Sequence, residues 1–257
     1  PDLAAIKQQF HYLVRTVPGN GLLVRYQPDT NLDAVLAMGA WTPTTSFGEA
    51  GSDWSAKLLA PDGSQFQVLQ QGQVVGTVNW TLVGLHNVHN ALAALAAAAH
   101  IGIKPAVGTA ALARFKNVKR RLELRGVEQG VAVYDDFAHH PTAIETTLAG
   151  LRAKVGQDAR IIAVLEFGSY TMRTGVHKDR LQEALKEANA VHCKAPATDW
   201  GLQEALRTFT QPTALYQEVG EMVSALAKEA KAGDHVIIMS NGGFDGIHNK
   251  LLTALKA

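Results

Sequence analysis

The sequence predicts an α/β protein in two units, the second built on a mainly parallel sheet. Three observations predict it. After residue 118, short apolar runs alternate with helical stretches, which is the pattern of a parallel sheet covered on both faces. Between Ala40 and Asn79 the pattern is instead that of short β-like runs separated by turns. Between these regions lies a long alanine-rich helical stretch. The expected division is residues 1–118 and 119–257, with the first unit incomplete.

Taken in order, Ile6, Phe10, Leu13 and Val14 recur at helical spacing within Leu3–Val17, and Pro18-Gly19-Asn20-Gly21 ends that helix. A strand over Leu22–Tyr26 follows. Ser64–Gln70 and Val74–Val78 read as an antiparallel ribbon at a domain edge, set off by Pro61-Asp62-Gly63 and Gln71-Gly72. Helices are expected over Gly84–Ile101 and Pro105–Phe115. In the second unit, strands fall at Val131–Tyr134, Ile161–Leu165, Ala190–His192 and His235–Met239. Helices fall at Pro141–Val155, Val176–Glu187, Trp200–Phe209 and Glu218–Ala232, with a terminal helix from Asp245. No internal repeat or low-complexity tract is present.

The 257 residues are 47% apolar and 18% charged, which suffices for one large or two modest cores. Lys and Arg number 24 against 23 Asp and Glu, so no general field draws the chain to nucleic acid or an anionic membrane. An anionic ligand therefore needs a local site. Cys193 stands alone, which excludes an internal disulfide and points to the reducing cytoplasm. The apolar Ala91–Ile103 stretch is shorter than the roughly 20 residues a bilayer crossing needs. The opening at Pro1-Asp2 lacks a signal-peptide pattern and reads as the interior of a larger protein.

Five clusters carry candidate chemistry. In Gly84-Leu85-His86-Asn87-Val88-His89-Asn90, Asn87 is a good N-cap type and Asn90 lies one turn on, so two amides can face one ligand; a capped buried helix is the plain alternative. Tyr134-Asp135-Asp136-Phe137-Ala138-His139-His140-Pro141-Thr142 sits where a strand ends and a helix begins, the usual ligand edge of an open α/β sheet. Its acids and histidines fit a ligand contact, a metal or a capped turn. Met239-Ser240-Asn241-Gly242-Gly243-Phe244 offers backbone N–H groups and one amide, or is a tight turn. In Leu165–Gly175, Arg173 can clamp a carboxylate or solvate a surface. Lys119-Arg120-Arg121-Leu122-Glu123 lies at the expected boundary, where basic residues either reach a nucleotide or solvate the linker.

Together these clusters resemble the Mur ligase family, in order and over essentially the whole chain. GLHNVHNALAA is similar to its second nucleotide motif, KRRLE to its linker arginine, and YDDFAHHPT to the loop that opens its C-terminal domain. FAHHP, TMRTGVHK and SNGGF resemble the branch acting on a murein peptide. The resemblance implies part of a central ATP-binding domain followed by a Rossmann-like C-terminal domain. It implies that His86, Asn87 and Asn90 border adenine, that Arg121 and Asp136 reach the nucleotide, and that His139 lies near the phosphates. His139 and Asp136 would then be catalytic, and Thr171, Arg173, Asn241, Gly242 and Gly243 would face the peptide.

The implied reaction joins L-alanyl-γ-D-glutamyl-meso-diaminopimelate to UDP-N-acetylmuramate through an acyl phosphate, using ATP and Mg2+. Two departures matter. Phe167-Gly168 stands where the family usually has Pro-Arg, and no G-x-x-G-K-[ST] phosphate loop occurs. The phosphate cradle, the main magnesium ligands and the UDP-binding domain are therefore expected in a missing N-terminal half, with this chain inert alone. A non-catalytic binding module, or a metal-dependent hydrolase using Asp135, Asp136, His139 and His140, are the competing readings.

Overall fold

The computed structural model describes residues 2–257, which form two compact units, one ending at Lys116 and the other spanning Asn117–Ala257. The first contains α1 (Leu3–Thr16), β1 (Leu23–Gln27), α2 (Thr30–Ala37), β2 (Thr44–Gly48), β3 (Trp54–Leu58), β4 (Gln65–Gln70), β5 (Gln73–Asn79), α3 (Leu85–His100) and α4 (Pro105–Leu112). Its sheet runs β1-β2-β3-β4-β5, parallel through β3 and antiparallel thereafter. Val88, Ala91, Leu92, Leu95 and Ala96 of α3 are buried at the spacing of one helix face. They pack with Phe66, Val68 and Val78, burial that contributes roughly 1.5–3 kcal/mol per large side chain. Small residues let the layers approach closely: a Cβ on Gly76 would lie 2.6 Å from the Thr109 hydroxyl of α4.

The second unit contains β6 (Glu123–Glu128), β7 (Val131–Asp136), α5 (Pro141–Val155), β8 (Ile161–Leu165), α6 (Tyr170–Arg173), α7 (Leu181–Ala184), β9 (Ala190–Lys194), α8 (Leu202–Leu206), β10 (Thr213–Tyr216), α9 (Val219–Glu229), β11 (His235–Met239) and α10 (Ile247–Lys256). The strand order is β10-β9-β8-β11-β7-β6, with only β6 antiparallel to its neighbour. Strand periodicity divides the core. Ala163, Leu165, Ile237 and Met239 meet α5 and α7, while Ile162, Val164, Val236 and Ile238 meet α9 and α10.

Several expectations need correction. The edge strands β6 and β10 and the helix α2 were not anticipated. The expected helix over Val176–Glu187 is broken: Gly175 turns the chain at φ 69°, and a 3₁₀ turn precedes the single turn of α7. The helix expected from Trp200 starts at Leu202, because Asp199 accepts from the Gly201 N–H (2.8 Å) and Gly201 sits at φ 86°. The terminal helix begins at Ile247 rather than Asp245.

Candidate functional site

The sheet of the second unit sets three of the sequence clusters side by side. β11 lies between β7 and β8, all three parallel, with Met239 in register with both Asp136 and Leu165. Their carboxyl ends therefore release the Phe137–His140, Glu166–Gly175 and Ser240–Gly243 loops at one edge. The chain leaves β7 and β8 toward the α5 face but leaves β11 toward the α10 face, so this edge is a topological switch point.

Asp135 and Asp136 end β7 and, as neighbours in a strand, project to opposite faces. Asp136, 3% exposed, accepts from Leu122 N–H and Ala138 N–H (both 2.7 Å) and from the Thr147 hydroxyl (3.3 Å). Burial pushes its carboxyl above the ordinary range, opposed by those two backbone N–H groups, the Arg121 charge and Thr147. Asp135, equally buried, meets Arg120 Nε at 3.4 Å, Arg125 at 3.2 Å and His248 Nε2 at 3.2 Å. The two acids thus hold the linker from both sides of the strand.

That linker is contorted. Arg120 (φ 58°) and Leu122 (φ 47°) both occupy the left-handed region, which costs bulky residues of order 1–3 kcal/mol each. Phe137 N–H donates to Arg120 O (2.8 Å), and Arg120 N–H donates to Glu123 (2.8 Å). The Arg120 guanidinium donates to Ser240 O (2.6 Å) and Gly242 O (2.7 Å) and lies 5.1 Å from the Phe137 ring centroid. Between the strained residues, Arg121 is exposed, 5.9 Å from the same ring. His139 is half-exposed beside it, its Nδ1 2.8 Å from Phe137 O and its ring edge-on to Phe137. His140 packs on His177 at 4.4 Å; burial, then the charges of His177, Arg180 and His139, push its imidazole below the ordinary value.

In the adjoining loops the Ser240 hydroxyl donates to Glu166 and accepts from Gly242 N–H (2.8 Å). The Gly242 N–H is therefore spent within the loop, contrary to the expectation that it faces a ligand. Neither Gly242 nor Gly243 has positive φ; the strain sits on Phe244 and Asp245, each at φ 46°. Thr171 and Arg173 lie on the single turn of α6, Thr171 half-buried and Arg173 exposed.

In the first unit α3 begins at Leu85, capped by Gly84 rather than by Asn87. The Asp62-Gly63-Ser64 turn builds this terminus: Gly84 N–H donates to Asp62 O (2.7 Å), and Trp80 Nε1 donates to Gly63 O (3.0 Å). Asn87 lies inside the first turn with its Nδ2 donating to Val83 O (2.8 Å). Asn90 is exposed, and His86 is partly buried. Gly84 has φ 93°, so Gly84→Ala is expected to cost about 1–3 kcal/mol, read as a lowered melting temperature. An unchanged melting temperature would contradict this account of the helix start.

Within the second unit the structure brings Arg121, His139, Arg173 and Asn241 to loops at one edge; His86, Asn87 and Asn90 belong to the other unit. Asp136 is there as a buried anchor, not a surface group. Arg120, Glu166 and Ser240 also build this edge and were not singled out, since only the strand order shows their adjacency. Asp135, Asp136, His139 and His140 have separate partners, and among the described residues no group of three His, Cys, Asp or Glu fits a metal ion. Among the described residues no helix is long and apolar enough to cross a membrane.

Residues 120–242 match the family described as Mur ligase, glutamate ligase domain. The chain is similar to the UDP-N-acetylmuramate:L-alanyl-γ-D-glutamyl-meso-2,6-diaminoheptandioate ligase of Escherichia coli, at 51% identity over 99% of this chain and 56% of that protein. The ligase of the same description from Haemophilus influenzae is 42% identical, with 99% and 56% covered. A crystal structure of a murein peptide ligase from Psychrobacter arcticus shares 42% identity and a TM-score of 0.73, covering 99% of this chain and 55% of that one. The chain thus spans about half the length of the curated relatives it matches.

Proposed function

The chain belongs to the Mur ligase family, and on that premise we propose that it is the C-terminal portion of an ATP-dependent amide ligase joining L-alanyl-γ-D-glutamyl-meso-diaminopimelate to UDP-N-acetylmuramate in peptidoglycan recycling. The observation that supports this reading best is the convergence of three loops at the β7-β11-β8 edge, with an exposed arginine raised on a strained linker.

A carboxylate is a poor electrophile. ATP would transfer its γ-phosphoryl group to the lactyl carboxylate with release of ADP, and the peptide's amino group would then attack the acyl phosphate, forming the amide and expelling inorganic phosphate and a proton. Within the first unit the residue types suit a purine edge: His86 and Asn90 stand one turn apart on α3, Asn90 exposed, and Asn87 donates its Nδ2 to Val83 O. Arg121 would place a permanent positive charge where phosphoryl oxygens gain charge, and His139, packed on the same Phe137 ring, would offer its imidazole to them as a hydrogen-bonding group. Arg173 faces the peptide's carboxylates, and Asp136 acts by fixing the linker. Among the described residues no group of three His, Cys, Asp or Glu stands together to hold a metal ion, and in this reading the main magnesium ligands are assigned to the part of the ligase that carries the phosphate loop. Cytoplasmic residence goes with this reading, and burial pushes the Cys193 thiol up to about 12, which keeps it unreactive.

The same reading makes this portion inert alone. It has no phosphate loop, and α1 leaves Leu3, Ile6, Phe10 and Leu13 exposed along one face, an apolar stripe suited to a further part of the ligase. Phosphate release with ATP, Mg2+, UDP-N-acetylmuramate and tripeptide is the test. The full-length protein is expected to turn over only with all four present, and this portion not at all. Robust turnover by the portion would overturn the assignment of the phosphate cradle elsewhere. Silence from the full-length protein, with tight calorimetric binding of tripeptide or ATP, would favour a non-catalytic binding module.

A further inference from the structure

The two residues that depart from the family's Pro-Arg have a structural counterpart across the edge. Phe167 is buried (4% exposed) and meets Trp200 edge-on at 5.8 Å. The same indole closes the far end of the loop, where a Cβ on Gly175 would lie 2.7 Å from Trp200. Trp200 therefore pins the backbone on both sides of Gly168–Thr174. Held there, Gly168 faces Asn241: a Cβ at 168 would stand well inside van der Waals contact of Asn241 Oδ1. That oxygen is buried and accepts no hydrogen bond. Gly168 does not need glycine for its backbone, since its φ is not in the left-handed region. The space for Asn241 is what its missing side chain provides.

Resting on the ligase reading, we propose that Gly168 and Asn241 form one specificity element in which the amide of Asn241 occupies the only side-chain space the two positions share. A side chain from 168 and the amide from 241 are mutually exclusive there. An unpartnered buried carbonyl oxygen carries a desolvation cost that an N–H donor removes. In this protein the edge therefore holds a neutral acceptor in reserve, which an ammonium or amide N–H of the incoming amine substrate would reach once the Asn241 amide turns out of the space over Gly168. The guanidinium suited to a carboxylate is left to Arg173, exposed on the adjoining turn.

The test is a double-mutant cycle in the full-length ligase, with KM for the tripeptide and kcat measured separately. Asn241→Ala is expected to raise KM about tenfold with kcat within about twofold, the loss of one buried hydrogen bond in binding. Gly168→Ala should do the same by turning the amide aside. The double variant should be no worse than Asn241→Ala alone, because the clash has gone. Gly168→Arg should be impaired as a single variant and recover when combined with Asn241→Ala. Additive effects, or an unchanged KM in Asn241→Ala, would overturn the pairing while leaving the ligase reading intact. A wild-type enzyme silent on tripeptide would overturn the ligase reading itself, and the specificity role with it.

Discussion

Asp136→Ala is expected to lower the stability of the Asn117–Ala257 unit by about 3–5 kcal/mol, measured by urea denaturation, and to abolish most turnover in the full-length ligase. The carboxylate is buried and accepts from three donors, two of them backbone N–H groups with no alternative acceptor once it is gone. Each orphaned buried donor costs about 1–3 kcal/mol, partly offset by removing a carboxylate that burial already disfavours. Against a total stability of roughly 5–15 kcal/mol, that loss is large. It also releases Leu122, whose left-handed backbone the Asp136 contact helps to hold. His139→Ala is the informative contrast. Its ring is half-exposed and packs edge-on against Phe137, so turnover should fall with stability changed by less than about 1 kcal/mol. Equal losses of stability and activity in the two variants would contradict this division of labour between anchor and contact.

That division shows where the sequence was legible and where it was not. Long elements with clear periodicity read correctly: Pro141–Val155, Ile161–Leu165 and His235–Met239 have the expected limits, and the α/β class with a mainly parallel second sheet holds. β6 and β10 were invisible because Glu123–Glu128 is polar and carries a glycine, and Thr213–Tyr216 is only four residues long. Their strand character comes from pairing with β7 and β9, not from their own pattern. At the edge of the second sheet, chemistry-bearing residue types could be picked out, but not what each touches. The period of two implies that Asp135 and Asp136 part company, yet only the fold shows that one meets Arg120, Arg125 and His248 while the other meets Leu122, Ala138 and Thr147. Asn87 misled in the opposite way: a good capping residue is three places inside a helix that Gly84 starts, because the Asp62–Ser64 turn reaches that terminus first.

Arg121→Ala is expected to leave the fold intact and lower kcat of the full-length ligase about a hundredfold or more, the size of effect seen when a charge-stabilising group is removed from a transition state. The argument begins with strain. Arg120 and Leu122 hold left-handed φ on either side of Arg121, and neither is a glycine. A chain that needed only to join two units would relax there, since the cost is of order 1–3 kcal/mol per residue. Instead Asp135, Asp136, Glu123 and the carbonyls of Ser240 and Gly242 all engage the neighbours of Arg121, and their combined effect is to leave its own side chain exposed against Phe137. Stability should therefore change little on its removal, as for most exposed side chains. Arg121→Lys separates charge from shape: a lysine keeps the charge but loses the planar fork and its contact with Phe137, so partial recovery would point to charge as the main contribution and none to two-pronged hydrogen bonding. Full activity in Arg121→Ala would mean that the strained linker serves architecture alone, and Arg173 would then have to supply the positive edge of the site.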